Sequence, residues 1–222
     1  NSNPEMVCHY ANIVEAGLKR IGYEHTESIL DEWNYAPPSN LWGAAFGGEG
    51  DSAKLSFFTE SKGNVGGAYA AAVMLALQDT STDIATFYEG QPINMFGTIF
   101  DSYGVPQKPY YSFLAFRDLL QCPDRVAVEL PDGKRGLYCC ASVDDKGNAR
   151  IMAANYRKEA HRYAISLEGL DPRGQYIVEK YMMDKDCNYE LVESQTGLLS
   201  KICLDTWMDS YSAMTMKLTR IK

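Results

Sequence analysis

Two carboxylates stand where this chain could carry out chemistry. Ser28-Ile29-Leu30 is a short apolar burst that runs into Asp31-Glu32-Trp33-Asn34, and Ile84 to Tyr88 is a second such run, ending in Glu89. Each reads as a buried parallel strand whose end turns polar. In alternating β/α folds reactive groups gather at the carboxyl ends of parallel strands, because the loops there converge on one face. Asp31-Glu32-Trp33-Asn34 places a carboxylate, an aromatic platform and an amide at one such end. A carboxylate in that position can attack an electrophilic carbon or carry a proton.

Other chemistries find little support. His9, His25 and His161 are too dispersed to form a ligand set. The six cysteines (Cys8, Cys122, Cys139, Cys140, Cys187 and Cys203) contain no C-x-x-C pair and read as small buried hydrophobes. Gly47-Gly48-Glu49-Gly50 is a loop and not a phosphate cradle, because no Gly-Lys-Ser/Thr follows it. Neither a cofactor nor a metal is expected. With 21 Lys and Arg against 29 Asp and Glu, the 222 residues carry a net charge of −8, and the basic residues are scattered among acids. Nucleic acid is not an expected partner, since a surface that tracks phosphates needs clustered Lys and Arg. The longest apolar run, Val65 to Leu77, falls short of the ~18 residues of a membrane span. Asn1-Ser2-Asn3-Pro4 has no initiator Met and no signal-peptide pattern, so the start reads as a cut and leaves the compartment open.

The elements that would position the carboxylates follow from the periodicity. Asn3 is an N-cap with Pro4 at N1, and Val7, Tyr10, Ala11, Val14, Leu18 and Ile21 recur at helical spacing up to Gly22. A long loop rich in Gly, Pro and aromatics follows from Tyr35 to about Lys62; loops of that length are usually functional. Asn64 to Leu77 is a second helix, whose Gly and Ala residues leave room for close approach to a sheet. Pro109 to Leu120 is a third. The order is helix, strand, helix, strand, helix.

Near residue 122 the hydrophobic period changes from 3.6 to 2. Segments at 126–130, 137–143, 149–155, 163–167, 175–182 and 212–221 alternate between turn signals such as Asp145-Lys146-Gly147-Asn148. At least six strands in about 100 residues predict an antiparallel β-sandwich with Trp207 in its core. Two domains are therefore expected, 1–121 and 122–222.

Ile29-Leu30-Asp31-Glu32-Trp33-Asn34 resembles the strand-7 motif of family 39 glycoside hydrolases, the β-xylosidase and α-L-iduronidase group, in which a Glu in a T-E-W-N or T-E-F-N context is the nucleophile. Asp31 stands where that family usually has Thr. Gly104-Val105-Pro106-Gln107-Lys108-Pro109-Tyr110-Tyr111 is similar to the G-x-P-x-K-P-x-Y that leads into the last helix of such enzymes. The resemblance implies an α/β plus all-β fold: the C-terminal part of a (β/α)8 TIM barrel followed by an antiparallel β-sandwich. It also implies a retaining glycosidase acting on oligo- or polysaccharides, with Glu32 as nucleophile. Retaining hydrolysis needs two carboxyl groups ~5–5.5 Å apart. The family's acid/base Glu lies in an Asn-Glu pair after strand 4, and this sequence has no such pair. The chain alone is then expected to be inactive, with its open strand edges covered by the missing N-terminal half of the barrel or by another chain. Trp33, Asn34, Tyr35, Trp42, Tyr88 and Glu89 are the substrate-binding candidates, the aromatics because sugar rings present apolar C–H faces. The competing expectation is a non-catalytic carbohydrate-binding or structural β-sandwich module with a barrel remnant.

Overall fold

In the computed structural model, which describes residues 3–36, 51–92, 98–130, 135–157 and 159–221, helix α1 (Pro4–Arg20) begins at its expected cap. The Asn3 side chain accepts from the Glu5 backbone N–H at 3.0 Å, Pro4 occupies the first turn, and Lys19 and Arg20 sit at the negative end of the helix dipole. Gly22 takes φ +81° just beyond it. The apolar stripe of α1 is largely uncovered: Tyr10, Ile13 and Val14 are exposed.

Strands β1 (Ile29–Trp33) and β2 (Ile84–Phe87) pair in parallel. Helices α2 (Asp51–Lys62) and α3 (Asn64–Leu77) lie between them in sequence, and α4 (Lys108–Leu119) follows β2. Almost every residue of α3 is buried, because two layers close over it. Tyr69, Ala70, Val73, Met74 and Leu77 meet Trp33 and Tyr35 on one side. Ala71, Ala72 and Leu75 meet Met152, Ala154, Met183 and Ala213 on the other. The Gly and Ala content expected to permit close approach does so: a Cβ on Gly67 would lie 2.9 Å from the Met183 methyl carbon.

The second half contributes β3 (Asp124–Val126), β4 (Leu137–Val143), β5 (Ala149–Asn155), β6 (His161–Tyr163), β7 (Gln175–Met183), β8 (Asn188–Leu198), β9 (Thr206–Met208) and β10 (Ser212–Arg220). Six of them form one antiparallel sheet in the order β3-β4-β5-β10-β7-β8. One face packs on α3 and α4. The other closes over a core that includes Ile151, Tyr176, Val178, Met214 and Leu218, with Tyr163, Ile165, Leu167 and Ile202 against it. Strands β6 and β9 form a separate two-stranded ladder. The chain is thus a mixture of helices and sheets, and the helices of the first half share a core with the sheet of the second.

Trp207 departs from expectation. Alternation along β9 turns Thr206 and Met208 inward, which leaves Trp207 outward and 59% exposed, its indole N–H donating to Asp209 at 2.9 Å. Strand β8 was not expected from the sequence. Among the described residues it is an edge strand with one paired neighbour, β7, so its exposed Glu190, Glu193 and Ser194 carry no apolar alternation to read.

Candidate active site

The carboxyl end of β1 is irregular. Leu30 pairs with Ala85 and Trp33 with Phe87, so Asp31 and Glu32 together stand opposite Thr86 alone. This is a β-bulge, in which one extra residue breaks the alternation and re-aims a side chain. Its effect here is concrete. Leu30 and Trp33, three positions apart, both pack against the aromatic cluster, while Asp31 and Glu32 are both exposed.

Trp33 turns into that cluster, edge-on to Phe87 at 5.0 Å and near Tyr69 and Phe113. Beyond it, Asn34 ties the two strand ends together. Its side-chain amide donates to the Tyr88 carbonyl, its oxygen accepts from the Tyr35 N–H at 2.6 Å, and the Tyr88 N–H donates to the Trp33 carbonyl at 3.0 Å. Tyr35 is buried and donates its hydroxyl to Glu60 of α2 at 2.9 Å. Burial, and then that carboxylate, push the phenol well above its ordinary range. Glu60 thus anchors the segment after β1, and no feature of the sequence points to it.

A cavity of about 440 Å³ runs along β1 beneath α1. Glu32, Trp33, Asn34, Tyr35 and Tyr88 contribute to its wall, as do Tyr10 and Val14 of α1. The structure therefore gathers five of the seven candidate residues at one strand end. Glu89 is half-buried beside them, after a cis peptide bond to Tyr88, and does not line the cavity. Trp42 lies outside the described residues. Two enclosed polar atoms here, Trp33 Nε1 and Glu89 Oε1, have no hydrogen-bond partner among the described residues. Such atoms are uncommon in native interiors and call for a reason. A second cleft of about 390 Å³, lined by Lys62 and Lys108 among others, has no carboxylate among the described residues of its lining. Among the described residues no group of His, Cys, Asp or Glu is arranged to hold a metal, and no helix is long and apolar enough to cross a membrane.

The bulge escaped the sequence reading, although a signal for it was present. Apolar residues that share one face of a regular strand fall at even spacing, and Leu30 and Trp33 do not.

No family model matches this chain, and no curated protein does. Its fold, in contrast, is found in solved glycoside hydrolases. A glucosidase from Croceicoccus marinus superposes with a TM-score of 0.75 at 16% identity, covering 100% of this chain and 52% of that one. A monomeric beta-xylosidase from Caulobacter crescentus CB15 gives 0.69 at 12% identity, covering 99% and 51%. A GH30 endoxylanase from Clostridium papyrosolvens C71 gives 0.59 at 13% identity, covering 90% and 43%. The chain spans about half the length of these enzymes, and what it shares with them is the fold of a glycoside hydrolase portion.

Proposed function

We propose that this chain is the C-terminal part of a retaining glycoside hydrolase of the β-xylosidase kind, with Glu32 as its nucleophile. The observation that carries the reading is the placement of Glu32, turned out by a bulge at the carboxyl end of a parallel strand and lining a cavity. The fold shared with a glucosidase, a beta-xylosidase and a xylanase supports it, as does the likeness of Asp31-Glu32-Trp33-Asn34 to the family 39 motif. On this reading residues 1–121 form the last strands and helices of a (β/α)8 barrel, and residues 122–222 form a β-sandwich.

Glu32 attacks the anomeric carbon and forms a glycosyl-enzyme, while a second carboxyl group protonates the leaving oxygen. That second group comes from the remaining part of the barrel, which also covers the exposed face of α1 and the free edge of β1. Parallel strands are rarely left in pairs; they occur in larger sheets covered by helices. Asn34 and Tyr88 face the sugar from the strand ends, Trp33 and Tyr35 back the binding wall from the core, and Glu89 stands beside it; Trp42 is a further substrate-binding candidate on the resemblance.

The test is Glu32→Gln in the full-length polypeptide, which removes the attacking oxygen and keeps the volume. Turnover of an aryl xyloside should fall by several orders of magnitude with little change in thermal stability. A fluoro-xyloside inactivator should add one sugar mass to the peptide containing Glu32. Near-normal turnover in the variant overturns the reading.

One observation favours a second reading, a sugar-binding role for the β layer. The exposed Trp207 ring, held by Asp209 and opposite Arg162 on the paired strand, is a flat platform suited to a sugar face. Affinity electrophoresis through soluble xylan tests this: retardation that Trp207→Ala abolishes supports it, and unretarded wild type dismisses it.

A further inference from the structure

We propose that Thr86 is a positioning residue for Glu32, its hydroxyl holding the bulge that aims the carboxylate into the cavity. The inference rests on the reading of Glu32 as nucleophile and adds a device that the family resemblance does not supply. Thr86 is the single residue of β2 opposite the doubled Asp31-Glu32 step. Its Oγ1 donates to the Asp31 carbonyl and lies 3.4 Å from that of Leu30.

These contacts meet a need created by the bulge itself. An extra residue disrupts the ladder, so carbonyl groups at the bulge lose their regular N–H partners. A side-chain hydroxyl on the facing strand can satisfy them only if it is short and located at the bulge, and Thr86 meets both conditions. The bulge also sets which side chains face which way. Without it, strict alternation would put Trp33 on the face opposite Leu30, and a shift of one residue reverses every side chain of a strand. The hydroxyl thus holds the one arrangement in which Trp33 is in the aromatic core and Glu32 is in the cavity.

Three other contacts hold the same strand end: Trp33 to Tyr88, Asn34 to Tyr88 and Trp33 to Phe87. These keep the fold when Thr86 is changed. Loss of the hydroxyl therefore loosens the aim of Glu32 without unfolding the sheet. A misplaced reacting group lowers the chemical step more than it lowers binding.

The experiment compares Thr86→Val with Thr86→Ser in the full-length polypeptide, using aryl xyloside turnover and the rate at which a fluoro-xyloside labels Glu32. Val keeps the branched shape and removes the donor; Ser keeps the donor. The Val variant should lower kcat and the labelling rate roughly tenfold to a hundredfold with KM little changed, and Ser should restore both to within about threefold. Amide hydrogen exchange over 30–33 should be faster in the Val variant than in wild type or the Ser variant. Wild-type labelling rates in the Val variant, or equal losses in both variants, overturn the inference while leaving Glu32 as nucleophile. Wild type that is active but carries its label elsewhere overturns the nucleophile reading, and the positioning role with it. The exchange measurement then still reports whether Thr86 holds the bulge.

Discussion

Tyr189 of β8 donates its hydroxyl to the Asp118 carboxylate of α4 at 2.6 Å, and through this pair the helical layer is fastened to the large sheet. Asp118 is 1% exposed, yet every side of it is answered. Lys217 of β10 pairs with the same oxygen that accepts from Tyr189, and Gln121 and Arg117 approach the other at 2.9 and 3.3 Å. The Lys217 ammonium lies 4.1 Å above the Tyr181 ring, which stacks on Tyr189. Removing one partner of a buried ion pair leaves an uncompensated charge. Asp118→Ala should therefore cost about 3 kcal/mol in urea denaturation, and Tyr189→Phe about 1 kcal/mol.

The same cluster makes stability depend on pH. Burial pushes the Asp118 carboxyl up, but the hydrogen bonds from Lys217 and Tyr189, the Lys217 charge and Arg117 outweigh it and hold the group below its usual value. A depressed carboxyl stabilises the folded state at pH above its unfolded pKa, ~3.9 for Asp, and loses that contribution as the pH falls through its folded value. Wild-type stability should thus decline as the pH drops below about 4. In Asp118→Asn the decline should be shallower, with a remainder from Glu193, which its bond to Lys180 also holds low. Urea midpoints measured between pH 3 and 6 for both proteins check the difference; equal slopes would dismiss Asp118 as the source.

Gly66 and Gly67 offer a graded test of the packing around α3. A Cβ on Gly66 would lie 2.0 Å from the Ser61 carbonyl oxygen, a backbone atom that cannot step aside. A Cβ on Gly67 would meet the flexible end of Met183 at 2.9 Å and the Lys108 Cβ at 3.1 Å. Gly67→Ala should cost about 1–3 kcal/mol, the range for an overpacked core. Gly66→Ala should cost more, because the turn between α2 and α3 has to shift. Thermal melts of the two variants give the order, and a milder Gly66→Ala would contradict it.

What the sequence discloses here divides along physical lines. Helix α3 was legible because Gly, Ala and apolar residues without charge can only be buried, and α1 because its cap and dipole residues are local. The placement of Glu32 at a strand end was legible from the apolar run before it. The hydrogen bonds that set its surroundings were not, since Thr86 and Glu60 act across 55 and 25 residues of chain and neither residue type is distinctive. Trp207 was misread because a short ladder can bury one face and leave a large aromatic on the other. Periodicity alone does not say which face is which.

The uncovered face of α1 separates the two accounts of the chain. Tyr10 and Val14 are 60% and 50% exposed, and both line the cavity beneath the helix. Fully burying one such side chain contributes about 1.5–3 kcal/mol. If the rest of a barrel covers this face, a Tyr10→Lys, Val14→Glu double variant should destabilise the full-length polypeptide by about 3 kcal/mol or more. In the 222-residue chain alone the same pair of changes should do the opposite. Bare apolar surface beside an unpaired strand edge promotes self-association, and charges placed there suppress it. Sedimentation velocity of the isolated chain should therefore show concentration-dependent association in wild type and less in the variant, while melting of the full-length protein falls. A free-standing module with a barrel remnant has no covering half, so the melting would then move little whatever the isolated chain does, and equal melting of the two full-length proteins would decide against the barrel.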